Sequence, residues 1–153
     1  MAEPVSVTMR IAAPPDAVYA LVSDLPRMGE WSPENTGGKW LGGATSAATG
    51  VRFKGTNKNG SKSWSTTVKI VEATPGQVFA FDVAVGPIKI ARWSYRIVPA
   101  EGGCDVTEQW DDHRGGLAKK LGGSASGVAD RAAYTKTSIQ TTLENLKAAA
   151  EAG

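Results

Sequence analysis

One cysteine and one histidine occur among the 153 residues. Cys104 by itself cannot close an intrachain disulfide, and with His113 as the sole imidazole no zinc or copper set can be assembled. No metal site is therefore expected. The one cysteine fits a reducing cytoplasm. No run of about 18 apolar residues exists, so no membrane span is expected. The first stretch, "MAEPVSVTMRIAAPP", has no long apolar core of the kind a secretion signal needs. Lys and Arg exceed Asp and Glu by 17 to 15, a formal net charge of +2. The basic residues are scattered, without a cluster interleaved with aromatics, which argues against a nucleic-acid partner or an anionic membrane surface. The glycine-rich stretches at 37–50 and 115–127 lack the Gly-Lys-Thr ending of a phosphate-binding loop, and no parallel βαβ unit surrounds them, so no cofactor is expected. Both read as mobile loops able to act as a lid over a cavity mouth.

What is present is a well-patterned chain with 41% hydrophobic residues, without internal repeats or a linker. Residues 1–153 are read as one domain. "VSVTMRIA" alternates Val5, Val7, Met9 and Ile11 against polar residues, a half-buried strand. Pro14 and Pro15 stop it and suit the start of a helix, "DAVYALVSDL", which Pro26 ends. A short helical turn around Met28 to Trp31 and a short strand near Lys39 to Leu41 are expected next. Asn59-Gly60 marks a tight hairpin between two strands, with Trp64, Thr66, Val68 and Ile70 on one face of the second. Pro75-Gly76 turns the chain into "QVFAFDVAV", with Phe79, Phe81, Val83 and Val85 on one side. "WSYRIVPAEGGCDVTEQWDD" gives two more strands joined at Gly102-Gly103. Asp130 is placed to cap a helix running to about Ala150, with Ala132, Lys136, Ile139, Leu143, Leu146 and Ala150 along one stripe.

The order is strand, helix pair, about six strands joined by short turns, and one long helix. Short turns imply antiparallel neighbours, and the apolar face of such a sheet must be covered. The C-terminal helix is the one element long enough to cover it. A sheet that curves around one helix leaves space where it bends away.

The stretches "VTMRIAAPPDAVYALVSDLPRMGEWSPE", "GVRFKGTNKNG", "WSTTVKIVEATPGQVFAF" and "CDVTEQW" resemble the START-like, helix-grip (SRPBCC) superfamily, and most closely its bacterial polyketide cyclase/dehydrase-like branch. The resemblance covers nearly all of the chain. It implies an α+β helix-grip fold: a seven-stranded antiparallel sheet curved around the C-terminal helix, with two short helices between the first two strands. It also implies a cavity between sheet and helix that takes an apolar or aromatic small molecule. It fixes no activity, since fold is only an analogy for function, and it supplies no catalytic motif to carry over.

If the strands turn their apolar faces to the helix, the lining is Phe53, Trp64, Val68, Phe79, Phe81, Trp93, Tyr95, Val106, Glu108 and Trp110. Ile139 and Leu143 join from the helix, and Trp31 and Trp40 stand on the early loop at the mouth. Singly, each ring reads as core filling; together they describe a largely apolar chamber. Glu108 breaks the pattern, because it falls where the period of two in its strand demands an apolar residue. Two readings stand. It is a polar anchor in the chamber with a pKa raised by burial, or it reaches water or a polar neighbour near the strand end. "WDDHR" reads as a solvated strand end, and Cys104 as a small buried hydrophobe. Three functions follow: a binding or carrier protein for a lipid or polyketide-like aromatic molecule; a cyclase or dehydratase with Glu108 as general acid or base and Tyr95 as helper; or a protein-interaction module with a filled core. The first is favoured, because no dyad or triad of ionisable groups lines up on the inner face. The pattern leaves ligand identity and oligomeric state open.

Overall fold

The computed structural model describes residues 4–115 and 130–153. Seven strands, β1 Val5–Ile11, β2 Asn35–Trp40, β3 Arg52–Asn59, β4 Lys62–Thr74, β5 Val78–Val85, β6 Ile88–Ala100 and β7 Gly103–Asp112, form one sheet. Its order is β1-β7-β6-β5-β4-β3-β2, every pair antiparallel. The first two strands thus occupy opposite edges, and the chain passes between them through α1, Pro15–Val22, and a 3-10 turn, Leu25–Glu30. The C-terminal helix, here α2, runs Arg131–Ala152. This is the expected helix-grip architecture, with seven antiparallel strands.

Local chemistry explains the boundaries. The expected helix over 16–25 is in fact two pieces. Ser23 donates its hydroxyl to the Tyr19 carbonyl at 2.7 Å and closes α1 early. Pro26, with no N–H to offer, stands at the start of the 3-10 turn instead of after the end of α1. Asp130 caps α2 as expected, its carboxylate accepting from the Ala133 N–H at 3.1 Å. The buried face of α2 is Thr135, Ile139, Thr142, Leu143 and Leu146; Ala132 and Lys136, expected on that stripe, are exposed. The β6–β7 loop is Glu101-Gly102, with Gly102 at φ 77, and Gly103 already pairs with Ala100. Gly103 is needed for a different reason. A Cβ there would lie 2.0 Å from the Ile11 carbonyl oxygen of the neighbouring strand.

Besides an irregularity at Asn35–Gly37 on the β2 edge, two bulges bend the middle of the sheet. The β4–β5 register shifts between Ile70 and Glu72, and the β5–β6 register shifts between Val83 and Ala84. An extra residue on one strand sharpens the local twist and curves the sheet. The closed part of the core, with Ile11, Val18, Val22, Phe79, Cys104, Val106, Leu143 and Leu146 each fully buried, lies where α1 and α2 meet the sheet. Cys104 is a buried small hydrophobe, its thiol pushed up by desolvation. The C-terminal half of α2 is tied to the end of β1: Glu151 accepts from the Ala12 N–H at 2.8 Å, and Lys147 donates to the Arg10 carbonyl at 3.3 Å. The glycine-rich stretch 37–50 begins with β2, so its first residues are an edge strand instead of a loop. The second stretch, 115–127, lies outside the described residues beyond Gly115. No helix among the described residues is long and apolar enough to cross a membrane.

Gly38 shows how tightly the edge is packed. Its φ is 151, and an added Cβ would meet the Lys54 carbonyl at 2.0 Å and the Phe53 ring at 2.7 Å. Gly38→Ala is expected to cost roughly 2–4 kcal/mol, read as a lower urea midpoint with the slope unchanged. An unchanged midpoint would show that β2 is not held against β3 in this way.

Candidate functional site: an apolar cavity with an enclosed acid

The apolar side chains of β3 to β7 point toward α2 because successive residues of a strand face opposite sides of the sheet. On the β1 and β7 side they meet the Leu143 and Leu146 half of the helix and pack solid. On the other side the bent strands stand away from the first turns of α2. A cavity of about 390 Å³ lies between them. Its walls are Phe53 from β3, Trp64 and Val68 from β4, Phe81 and Val83 from β5, Trp93 and Tyr95 from β6, and Glu108 and Trp110 from β7. Met28 of the 3-10 turn and Thr135, Ser138, Ile139 and Thr142 of α2 also line it.

Nine of the thirteen residues expected to line a chamber are therefore on its wall: Phe53, Trp64, Val68, Phe81, Trp93, Tyr95, Glu108, Trp110 and Ile139. The other four are in closed packing. Phe79 is fully buried between Tyr19 and Phe81, with ring centroids 6.1 and 5.7 Å away. Val106 and Leu143 are fully buried in the solid end of the core. Trp31 is buried under the Arg27 guanidinium, 5.2 Å from its ring, and its carbonyl accepts from the Asn145 amide at 2.9 Å. Trp40 is not at the mouth either; it meets the Phe53 ring edge-on at 5.1 Å. Periodicity gave the face of each residue but not its distance along the strand from the packed end.

The β6–β7 register decides the polar geometry. Trp93 stands opposite Trp110, and Tyr95 opposite Glu108. The two indoles are 6.4 Å apart between centroids. The Tyr95 hydroxyl donates to Glu108 Oε2 at 2.9 Å. Glu108 is 2% exposed, and its Oε1 is enclosed without a hydrogen-bond partner. Desolvation pushes its pKa up to about 8, against a smaller opposing effect from the Tyr95 hydrogen bond. The Tyr95 hydroxyl is pushed well above its ordinary value, first by burial and then by the Glu108 charge. At neutral pH the pair is a neutral acid beside a neutral phenol. Glu108 is enclosed and does not reach water, and it bonds a polar neighbour, Tyr95, as part of the second reading allowed. Nearby, Ser32 and Thr142 share a hydrogen bond at 3.1 Å, and Thr142 donates to the Ser138 carbonyl at 2.8 Å.

Two ion pairs on the cavity wall were not foreseen. Arg131, at the start of α2, donates to Glu34 at 2.6 Å, and their side chains are 17% and 15% exposed, marking the rim. Glu34 adopts φ 50, a left-handed conformation uncommon for a residue with a Cβ. Arg114, also on the wall, binds Asp112 through Nε at 2.9 Å and Nη2 at 3.0 Å. These side chains are only 8% and 5% exposed. The segment "WDDHR" is thus not a uniformly solvated strand end. Asp112 leaves water because a two-pronged guanidinium replaces its hydration, while His113 stays exposed. The alternation of β7 continued to Asp112, with an arginine two residues on, was the signal available.

The chain matches the family described as "Polyketide cyclase / dehydrase and lipid transport" over residues 3–151. A polyketide-cyclase-like protein of Corynebacterium glutamicum, solved by NMR in solution, is 30% identical, with 99% of this chain and 94% of that one covered and a TM-score of 0.65. A Chromobacterium violaceum protein is 18% identical over 99% of both chains, TM-score 0.74. The di-domain ARO/CYC StfQ of the steffimycin biosynthetic pathway is 14% identical, TM-score 0.74, with 97% of this chain and 50% of that one covered. The last two share the fold. No curated protein matches the chain.

The raised pKa of Glu108 has a consequence for stability. The folded acid holds its proton up to about pH 8, while the unfolded one releases it near the ordinary value of 4.5. Between those values the unfolded state binds fewer protons, so stability falls as pH rises. The loss is on the order of a few kcal/mol. Glu108→Gln is expected to abolish that slope, checked by urea unfolding at several pH values. A wild-type slope that is flat over this window would mean that Glu108 ionises freely in the folded protein.

Proposed function

The chain belongs to the polyketide cyclase / dehydrase and lipid transport family, and we propose that it binds and carries a hydrophobic small molecule, a lipid or a polyketide-like aromatic, in the cavity between sheet and α2. The observation that carries this reading is the cavity itself: about 390 Å³, walled by Phe53, Trp64, Phe81, Trp93 and Trp110, with most of its surface apolar. That volume is within the range of small-molecule sites, and apolar walls with a few placed polar groups are their usual composition. A module whose role is only to present a surface needs no such space.

A second reading, a cyclase or dehydratase, draws on the Tyr95–Glu108 pair. A carboxylic acid with a pKa of about 8 is poised to exchange protons near neutrality, and a shaped cavity supplies orientation for an intramolecular condensation. The carrier reading is preferred because Glu108 Oε1 is enclosed, whereas a catalytic acid must reach the substrate. Either role places the hydrophobic ligand in the same cavity.

Thr135 lines the cavity and is buried, so Thr135→Leu fills space without creating a cavity elsewhere. It is expected to hold or raise Tm while weakening binding of a hydrophobic fluorophore such as 1-anilinonaphthalene-8-sulfonate at least ten-fold. Native mass spectrometry of the wild type is expected to show a co-purified mass that this variant lacks. Undiminished fluorophore binding in Thr135→Leu would locate binding elsewhere. Glu108→Gln separates the two roles: a carrier keeps its ligand, whereas an enzyme keeps its ligand and loses turnover.

A further inference from the structure

We infer that the ligand carries an anionic oxygen, a carboxylate or an acidic phenol, and that Arg114 seats it. The inference rests on the cavity-binding reading above and narrows its ligand class. Arg114 is a charged side chain 8% exposed, on the wall of a cavity whose surface is mostly apolar. Its orientation is fixed from two sides. Asp112 takes Nε and Nη2, and the Arg114 backbone N–H also donates to Asp112 Oδ1 at 3.1 Å. The Trp110 ring, itself a wall residue, lies 5.7 Å from the guanidinium carbon.

This leaves Nη1 and its two N–H groups without an acceptor among the described residues. A guanidinium has five N–H donors in a rigid fork and is charged at every working pH. Nη1 is not enclosed, so its N–H groups are open to an incoming oxygen. A ligand oxygen at Nη1 would complete the set, and a negative charge there gives the stronger, charge-assisted bond.

The other charged groups on the wall support the assignment. Arg131 already spends Nη1 and Nη2 on Glu34 at the rim. Glu108 is held neutral at pH 7, so it does not repel an anion. A fully neutral ligand, by contrast, would bury the cation against its one carboxylate without adding a charge-assisted partner. The indoles of Trp93 and Trp110 supply the adjoining apolar surface, which suits an amphipathic acid with its hydrocarbon or ring system toward β3–β5.

Matched pairs of probes test this: dodecanoate against 1-dodecanol, and 2-naphthoate against 2-naphthylmethanol, measured by displacement of a bound fluorophore or by calorimetry at pH 7. Wild type is expected to bind each acid at least ten-fold tighter than its alcohol. Arg114→Gln is expected to lose that preference, the ratio of acid to alcohol affinity falling toward one, and Arg114→Lys to retain part of it. Equal binding of acid and alcohol by the wild type would overturn the assignment whether or not the variants fold, yet leave the cavity reading intact. A preference that persists in Arg114→Gln would also overturn it. Failure of all four probes to bind would sink both.

Discussion

The pairing of β6 with β7 in a single register is the constraint on which the site depends. It sets Trp93 against Trp110 and Tyr95 against Glu108, so that one rung of the ladder is an indole pair and the next is an acid facing a phenol. A slip of β7 by one residue would turn Glu108 and Trp110 to the opposite face. The acid would then leave the cavity wall, and the chamber would lose Trp110, one of its largest walls. The two-residue loop Glu101-Gly102 and the close approach of Gly103 to β1 leave little freedom for such a slip. Register is thus enforced at the hairpin end by backbone geometry and along its length by burial.

An acid inside an apolar wall would ordinarily be selected against, since an unpartnered carboxylate costs several kcal/mol to bury. The structure reduces that cost in two steps. Tyr95 supplies a donor at 2.9 Å, and the remaining desolvation is relieved by holding the group protonated at neutral pH. The result is a polar point that adds no charge to the cavity. Arg114 is treated in the opposite manner. It keeps its charge, and Asp112 balances it. The β7 end of the cavity wall therefore carries an acid held neutral, Glu108, and an ion-paired cation, Arg114.

Much of this was legible before any coordinates. Period-two alternation named the inner face of β4 to β7, and the mismatch at Glu108 in that alternation marked the enclosed acid. The strand–helix–strand order around "APPDAVYALV" and "WSPE" pointed to the helix-grip fold. What periodicity could not supply was depth. Phe79 and Phe81 share a face, yet the first is in solid packing and the second on the cavity wall. The difference is made by the bulges at Ile70–Glu72 and Val83–Ala84, which no residue type announces. The break of the first helix after Val22 was missed because Ser23 capping and the following proline together make a boundary that Leu25 conceals by continuing the apolar spacing. The Asp112–Arg114 pair was missed because two acids and an arginine at a strand end read as surface when their mutual geometry is unknown.

The cavity itself follows from a gradient along α2. Toward its C-terminus the buried residues are Leu143 and Leu146, bulky enough to close against β1 and β7. Toward its N-terminus the inward residues are Thr135, Ser138, Ile139 and Thr142; all but Ile139 fill less volume, and Thr142 bonds Ser32 and the Ser138 carbonyl. A helix of uniform leucines on that stripe would close the space or force the strands apart. Instead the small side chains face the bulged part of the sheet, where the strands already curve away. Two independent features, side-chain size on the helix and backbone irregularity in the sheet, thus open the same region. Their agreement is hard to reconcile with an incidental packing defect, because a void opened by only one of them would be closed by small adjustments of the other.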